Sequence, residues 1–242
     1  IQEAILPPDE KVKNLFPDSF VFYLPKDIVS GDFYWCEQRG DEALIAAVDC
    51  TGHGVPGAFL SIVGFDLLNQ SVHEHGLTRP AVILNGLNRG LTKIIHQKKE
   101  AANAVKDGMD ISLCCINYKT KKLEYAGAYN PLWMIRKGEF TEVKADKIPI
   151  GASAENDLRK FVNHEINLQE GDTFYIFSDG YADQFGGPKG KKFKYAELKK
   201  LLMSIQSNTM QEQKVILEST FNYWKGDLEQ VDDILVIGMR YK

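Results

Sequence analysis

Six consecutive apolar residues, Ala43 to Val48, stop at Asp49 and give way to Cys50-Thr51-Gly52-His53-Gly54. A run this short suits a strand buried on both faces. A carboxylate at its edge is costly unless a cation or hydrogen bonds compensate it. The same grammar recurs three times: Ser30-Gly31-Asp32 precedes Phe33-Tyr34-Trp35, Asp179 follows Phe174 to Ser178, and Asp232-Asp233 precedes Ile234 to Ile237. Any one of these aspartates is read most simply as a turn former. Four gathered in one place would repel one another and raise each other's pKa, a conflict that a divalent cation resolves. Oxygen-only ligands favour hard ions, Mg²⁺ or Mn²⁺, over Zn²⁺.

The rest of the chain supplies a frame for these strands. Ile1 to Leu6 reads as the last turn of a helix entering from upstream, stopped by Pro7-Pro8. Phe20 to Leu24 and Phe33 to Glu37 read as strands. Pro56 to about Val72 is apolar on most sides (Phe59, Leu60, Ile62, Val63, Phe65, Leu67, Leu68), which predicts a buried helix. A second helix starts at Pro80 with the stripe Ile83, Leu87, Leu91, Ile94 and Ile95. Gln97 to Met109 is polar and small, a mobile loop. Ile111 to Tyr118, Lys122 to Ala128, Leu132 to Arg136 and Phe140 to Lys144 are spaced like an antiparallel meander. An alternating segment follows near Lys160 to Leu168, then the strand from Asp172 to Ser178. Helices cover Tyr195 to Ile205 and the stretch after the Thr209/Glu212 capping box, whose stripe is Met210, Leu217, Phe221 and Trp224. The last strand is Ile234 to Arg240. Helices grouped apart from antiparallel strands, with no repeat or Pro/Gly-rich linker, predict one α+β domain.

Composition narrows the function. A net charge of −4 with scattered Lys and Arg offers no basic field for nucleic acid. No apolar run approaches the ~20 residues needed to span a bilayer, so no membrane contact is expected. Cys36, Cys50, Cys114 and Cys115 form no C-x-x-C pair and read as reduced, mostly buried thiols of a cytoplasmic protein. The chain opens at Ile1 rather than Met and is expected to be part of a longer protein.

Thr51-Gly52-His53-Gly54 links the buried strand to the buried helix. Its glycines let backbone N–H groups and a helix N-terminus face an anion, which makes Gly52 and Gly54 candidate phosphate contacts. It is not a P-loop, because the Lys-Ser/Thr ending is missing. Together with Asp27-Ile-Val-Ser-Gly-Asp-Phe-Tyr-Trp35, Ala126-Gly-Ala-Tyr-Asn-Pro131, Phe177-Ser-Asp-Gly180 and Asp232-Asp-Ile-Leu-Val236, the stretch Ala47 to Gly54 resembles the metal-dependent (type 2C-like) protein phosphatases, closest to their SpoIIE/RsbU-like bacterial branch. The five motifs occur in family order from about residue 20 to the end.

The resemblance implies a four-layer αββα sandwich of two antiparallel sheets flanked by helices. It also implies two Mn²⁺ or Mg²⁺ ions. By motif, Asp49 would bridge both metals, Asp179 and Asp232 would complete one, and Asp32 with the backbone carbonyl of Cys50 the other. Asp233 is the second candidate in its pair, behind Asp232. His53 is a candidate general acid or a structural member of the turn, and Lys26 a candidate phosphate partner or a solvated lysine. Tyr129 stands where many relatives have His, and Asp183-Gln184 where an acidic residue often follows Asp-Gly. Residues 1–10 would be the end of an upstream linker helix and 11–242 the phosphatase domain. The full protein would carry an upstream sensor domain and form a homodimer. The implied substrate is a phosphoprotein of the anti-sigma-factor antagonist type. No protein nucleophile is evident, since Ser30 and Ser178 lack a paired His. Two other readings keep the fold: a catalytically inactive partner-binding module, or a small-molecule phosphatase.

Overall fold

The computed structural model describes residues 2–52, 54–96, 108–151 and 159–242. Two short helices, α1 (Gln2–Ile5) and α2 (Asp9–Leu15), lead into β1 (Ser19–Leu24), β2 (Phe33–Arg39) and β3 (Glu42–Cys50). Helices α3 (Gly54–His73) and α4 (Pro80–His96) follow. Then come β4 (Met109–Asn117), β5 (Lys122–Ala128), β6 (Leu132–Arg136), β7 (Glu139–Val143), β8 (His164–Asn167) and β9 (Thr173–Phe177). The chain closes with α5 (Gly180–Asp183), a small hairpin of β10 (Phe185–Gly186) and β11 (Lys191–Lys192), α6 (Tyr195–Ser204), α7 (Met210–Lys225) and β12 (Ile234–Arg240).

One five-stranded sheet runs β1-β12-β9-β6-β7 and the other β2-β3-β4-β5-β8, and all their pairings are antiparallel. Side chains alternate across each strand, and this sorts the core into three layers. Tyr34, Cys36, Ile45 and Ala47 meet Ile176, Leu235 and Ile237 between the sheets. Phe33, Trp35, Leu44, Ala46 and Val48 face Leu68, Ile83, Leu87 and Leu91 of α3 and α4. Phe20, Phe22, Tyr175 and Val236 face Leu198, Leu202, Leu217 and Phe221 of α6 and α7. The chain is therefore the expected α+β sandwich of helices, two sheets and helices. All four cysteines are buried and free. Among the described residues no helix is long and apolar enough to cross a membrane.

The structure departs from the sequence reading in four places. The four middle strands are not one meander: β4 and β5 pair in one sheet, β6 and β7 in the other. The chain changes sheets at Tyr129-Asn130-Pro131, where the Asn130 carbonyl accepts the hydroxyls of Ser112 and Tyr125, both at 2.7 Å. Helix α3 is not buried all round. Its inward face carries the small residues Gly57, Ala58, Ser61 and Gly64, which lets it lie close to the sheet, while Val55 and Phe59 stay exposed. Ile94 of the α4 stripe is also exposed. Helix α2, which the sequence did not suggest, runs across the expected boundary at residues 10 and 11. Of the loop expected from Gln97 to Met109, residues 97–107 lie outside the described residues, and Met109 opens β4. The Thr209/Glu212 capping box forms as expected, with Thr209 N–H donating to Glu212 Oε2 at 2.8 Å.

Candidate metal centre

Strand parity aims the aspartates before any loop is considered. Ala43, Ile45 and Ala47 of β3 face the opposite sheet, so Asp49, next in that row, points into the same seam at its end. Leu235 and Ile237 place Asp233 on the inward face of β12, and Tyr34 does the same for Asp32 ahead of β2. Asp179 follows β9 as the residue before α5. One end of the seam between the sheets thus collects aspartates from four separate chain segments.

Asp233 organises the loop between β1 and β2. It is 2% exposed, and its Oδ1 accepts the Lys26 amide at 2.8 Å and its Oδ2 the Gly31 amide at 2.7 Å. Each oxygen of Asp233 thus accepts one backbone donor, which ties it to the loop between β1 and β2. Asp232 Oδ1 in turn accepts the Asp233 amide at 2.9 Å. Ser30 Oγ accepts the Asp32 amide at 3.0 Å, fixing the approach to β2. The loop presses on the next motif without side chains between them. A methyl group on Gly31 would sit 2.5 Å from the Gly52 carbonyl oxygen and 3.0 Å from that of Cys50. One on Gly57 would sit 2.2 Å from Gly52 O. The Cys50 carbonyl is therefore held beside the Asp32 loop. Gly52 (φ +85°) and Gly54 (φ +67°) take left-handed backbone that favours glycine. Gly54 opens α3, whose N-terminus carries a positive partial charge. Lys26 is half-buried. His53 lies outside the described residues.

Electrostatics define the cluster. Burial, then the charge of Asp49, holds the Asp32 carboxyl well above its ordinary value, with partial relief from the Ser178 hydroxyl. Asp49 is likewise raised, by burial and then by Asp179, Asp110 and Asp232. Asp179 is pushed up to about 6 by burial, then by Asp232 and Asp183. Among the described residues, Asp32 Oδ2 is fully buried with no hydrogen-bond partner. No three His, Cys, Asp or Glu side chains among the described residues are close enough together to grip an ion. The donor set fits a hard divalent cation all the same: it is all oxygen, its charges are unbalanced, and a buried carboxylate oxygen lacks any donor.

Two contributors escaped the sequence reading. Asp110 pairs directly with Asp49 across β3 and β4, and burial, then Asp179, pushes its carboxyl up to about 7. Its signal was present, an acid beginning an otherwise apolar strand, but the partner strand was not. Gln184, 0% exposed, receives the Val231 amide at 3.2 Å and donates to the Glu229 carbonyl at 2.9 Å, steadying the segment that delivers Asp232. Nothing in the sequence distinguishes such a glutamine from a solvated one.

Two packed antiparallel sheets between helix pairs, with acids at one end of the seam, define a PP2C-type phosphatase domain. The same architecture is seen in the SiaA-PP2C domain of Pseudomonas aeruginosa, at TM-score 0.87 and 30% identity, covering 100% of this chain and 93% of that one. The chain belongs to the SpoIIE family: the model for stage II sporulation protein E matches residues 39–242. It is 26% identical over 226 residues to the phosphoserine phosphatase RsbU of Bacillus subtilis (strain 168), covering 90% of this chain and 62% of RsbU. The PP2C phosphatase domain of SpoIIE from Bacillus subtilis, solved with a fragment of its regulatory domain, shares the fold. The match has TM-score 0.74 and 20% identity, over 93% of this chain and 63% of that one.

Proposed function

We propose that this chain removes phosphate from phosphoserine or phosphothreonine in a protein substrate, using two Mn²⁺ or Mg²⁺ ions. The observation that carries the reading is the set Asp32, Asp49, Asp179 and Asp232 at one end of the seam, with Asp32 Oδ2 buried and unpartnered. Asp49 would bridge, Asp179 and Asp232 would hold one ion, and Asp32 with the Cys50 carbonyl the other. Asp233 acts at one remove, by holding the loop from Lys26 to Gly31. When bound, such ions supply Lewis acidity towards phosphoryl oxygens and make water acidic enough to attack near pH 7. Gly52, Gly54 and the N-terminus of α3 would orient the phosphate, with Lys26 as a phosphate partner or a solvated lysine, and His53 as the proton donor to the leaving alkoxide or a structural member of the turn.

Similarity to RsbU supports a phosphoprotein of the anti-sigma-factor antagonist type as substrate. In this reading residues 1–10 connect residues 11–242 to an upstream sensor domain, and the full protein is a cytoplasmic homodimer. Phosphate release from a phosphoserine peptide with Mn²⁺, compared between the wild type and Asp49→Asn, tests the activity. Metal-dependent release lost in the variant is expected, and none in the wild type defeats the reading. One observation favours the rival non-catalytic module: no three described side chains yet form a cage. Binding of a phosphoprotein without turnover would select it. Hydrolysis of nucleotides but not phosphopeptides would select a small-molecule phosphatase.

A further inference from the structure

Asp110, the second residue of β4, lies directly opposite Asp49. In β4, Ile111, Leu113 and Cys115 face the helices, while Cys114 and Ile116 face the other sheet. Asp110 continues the second row, as Asp49 does in β3. The two carboxylates therefore leave adjacent strands on one face, with β-carbons about 4.5–5.5 Å apart, where like charges destabilise a sheet.

A turn or capping role does not account for Asp110, because it lies within a strand and is paired there with Asp49 of β3. Nor, among the described residues, does a neighbouring base. The lysine that acts on Asp179 is Lys192, and it is engaged with Asp183 at 2.7 Å. The second, independent sign of a ligand is Asp32 Oδ2, buried and without a donor in the same seam. Asp32 has Asp49 as its main charged neighbour, and Asp110 has Asp179. Asp49, Asp110 and Asp179 act on one another at this end of the seam, and Asp32 beside Asp49 carries an orphaned oxygen, a charge pattern that a cation relieves.

We infer that Asp110 is an additional ligand, direct or through one water, of the divalent ion held by Asp49 and Asp179. The centre then draws on five carboxylates rather than four. The inference rests on the reading of the seam as a metal centre.

The test is calorimetric titration of Mn²⁺ into the wild type, Asp110→Asn and Asp49→Asn, with circular dichroism and melting in EDTA as fold controls. Asp110→Asn is expected to lose one ion, or to bind it about 10–100-fold more weakly, as when a metal's supporting groups are removed. It should melt no lower than the wild type without metal, since a repulsion is removed. Wild-type stoichiometry with affinities within twofold overturns the role of Asp110 while leaving the metal centre standing. No Mn²⁺ uptake by the wild type overturns both. Asp110→Ser, tested in parallel, decides the matter should the asparagine variant not fold.

Discussion

The Gln2 side chain accepts the Ser30 amide through Oε1 at 2.8 Å and donates through Nε2 to the Ser30 carbonyl. Nε2 also reaches Ser61 Oγ at 2.9 Å. One residue of α1 thus ties the backbone just before Asp32 to helix α3. Gln2→Ala should lower Mn²⁺ affinity severalfold, because the loop carrying Asp32 loses its tether. Stability should fall by only about 0.5–1.5 kcal/mol per bond lost. Titration of Mn²⁺ beside urea unfolding separates the two effects, and unchanged affinity counts against the tether.

Asp232 and Asp233 should respond oppositely to alanine. Asp233→Ala strands the Lys26 and Gly31 amides and removes charge-assisted bonds, at a cost of about 2–5 kcal/mol. Asp232→Ala relieves repulsion on Asp179 and Asp49 and should leave metal-free stability nearly unchanged while weakening Mn²⁺ binding. Chemical denaturation in EDTA checks the first expectation and calorimetry the second.

Gly31→Ala places a methyl group 2.5 Å from the Gly52 carbonyl. Two backbone segments must separate, at a cost of about 1–3 kcal/mol. Mn²⁺ binding should fall with stability, because the Cys50 carbonyl and Asp32 move apart. A variant with wild-type melting and wild-type Mn²⁺ affinity would show that the two loops are not rigidly juxtaposed.

Without metal, stability should decline as pH rises. Burial and neighbouring carboxylates push the folded carboxyls of Asp179 and Asp110 up to about 6 and about 7, above the ordinary value of 3.8. Between 3.8 and about 7 the folded state therefore holds more protons than the unfolded chain, and unfolding free energy falls with increasing pH. Melting in EDTA from pH 4.5 to 8 should show a descending contribution that Asp110→Asn flattens. Saturating Mn²⁺ should reverse it, since cations compete with protons for the same oxygens.

The pair Arg136–Asp172 provides a control away from the centre. Asp172, 1% exposed, receives Arg136 Nε at 2.7 Å and Nη2 at 2.6 Å. Asp172→Ala should cost about 1.5–3 kcal/mol by removing its charge-assisted bonds to Arg136 and its bond from the Gln169 amide, with Mn²⁺ affinity per folded molecule unchanged.

The sequence by itself determined where the strands of the two large sheets lie, and missed the small hairpin of β10 and β11. A short unbroken apolar run is a local signal, so Ala43–Val48 and Ile234–Ile237 were legible, together with the acids that flank them. Helix α7 was legible for the same reason, its cap and stripe lying within one stretch of chain. Only tertiary structure decided which strands are neighbours. The order β1-β12-β9-β6-β7 joins segments separated by most of the chain, and no local pattern encodes it. That order assigns Asp233 to backbone amides 202 and 207 residues away, and the β3–β4 register sets Asp110 against Asp49. It also exposes one side of α3, because close approach of glycine and alanine to the sheet outweighs covering Phe59. Charge repulsion and close packing depend on distances through space, which a linear pattern does not contain.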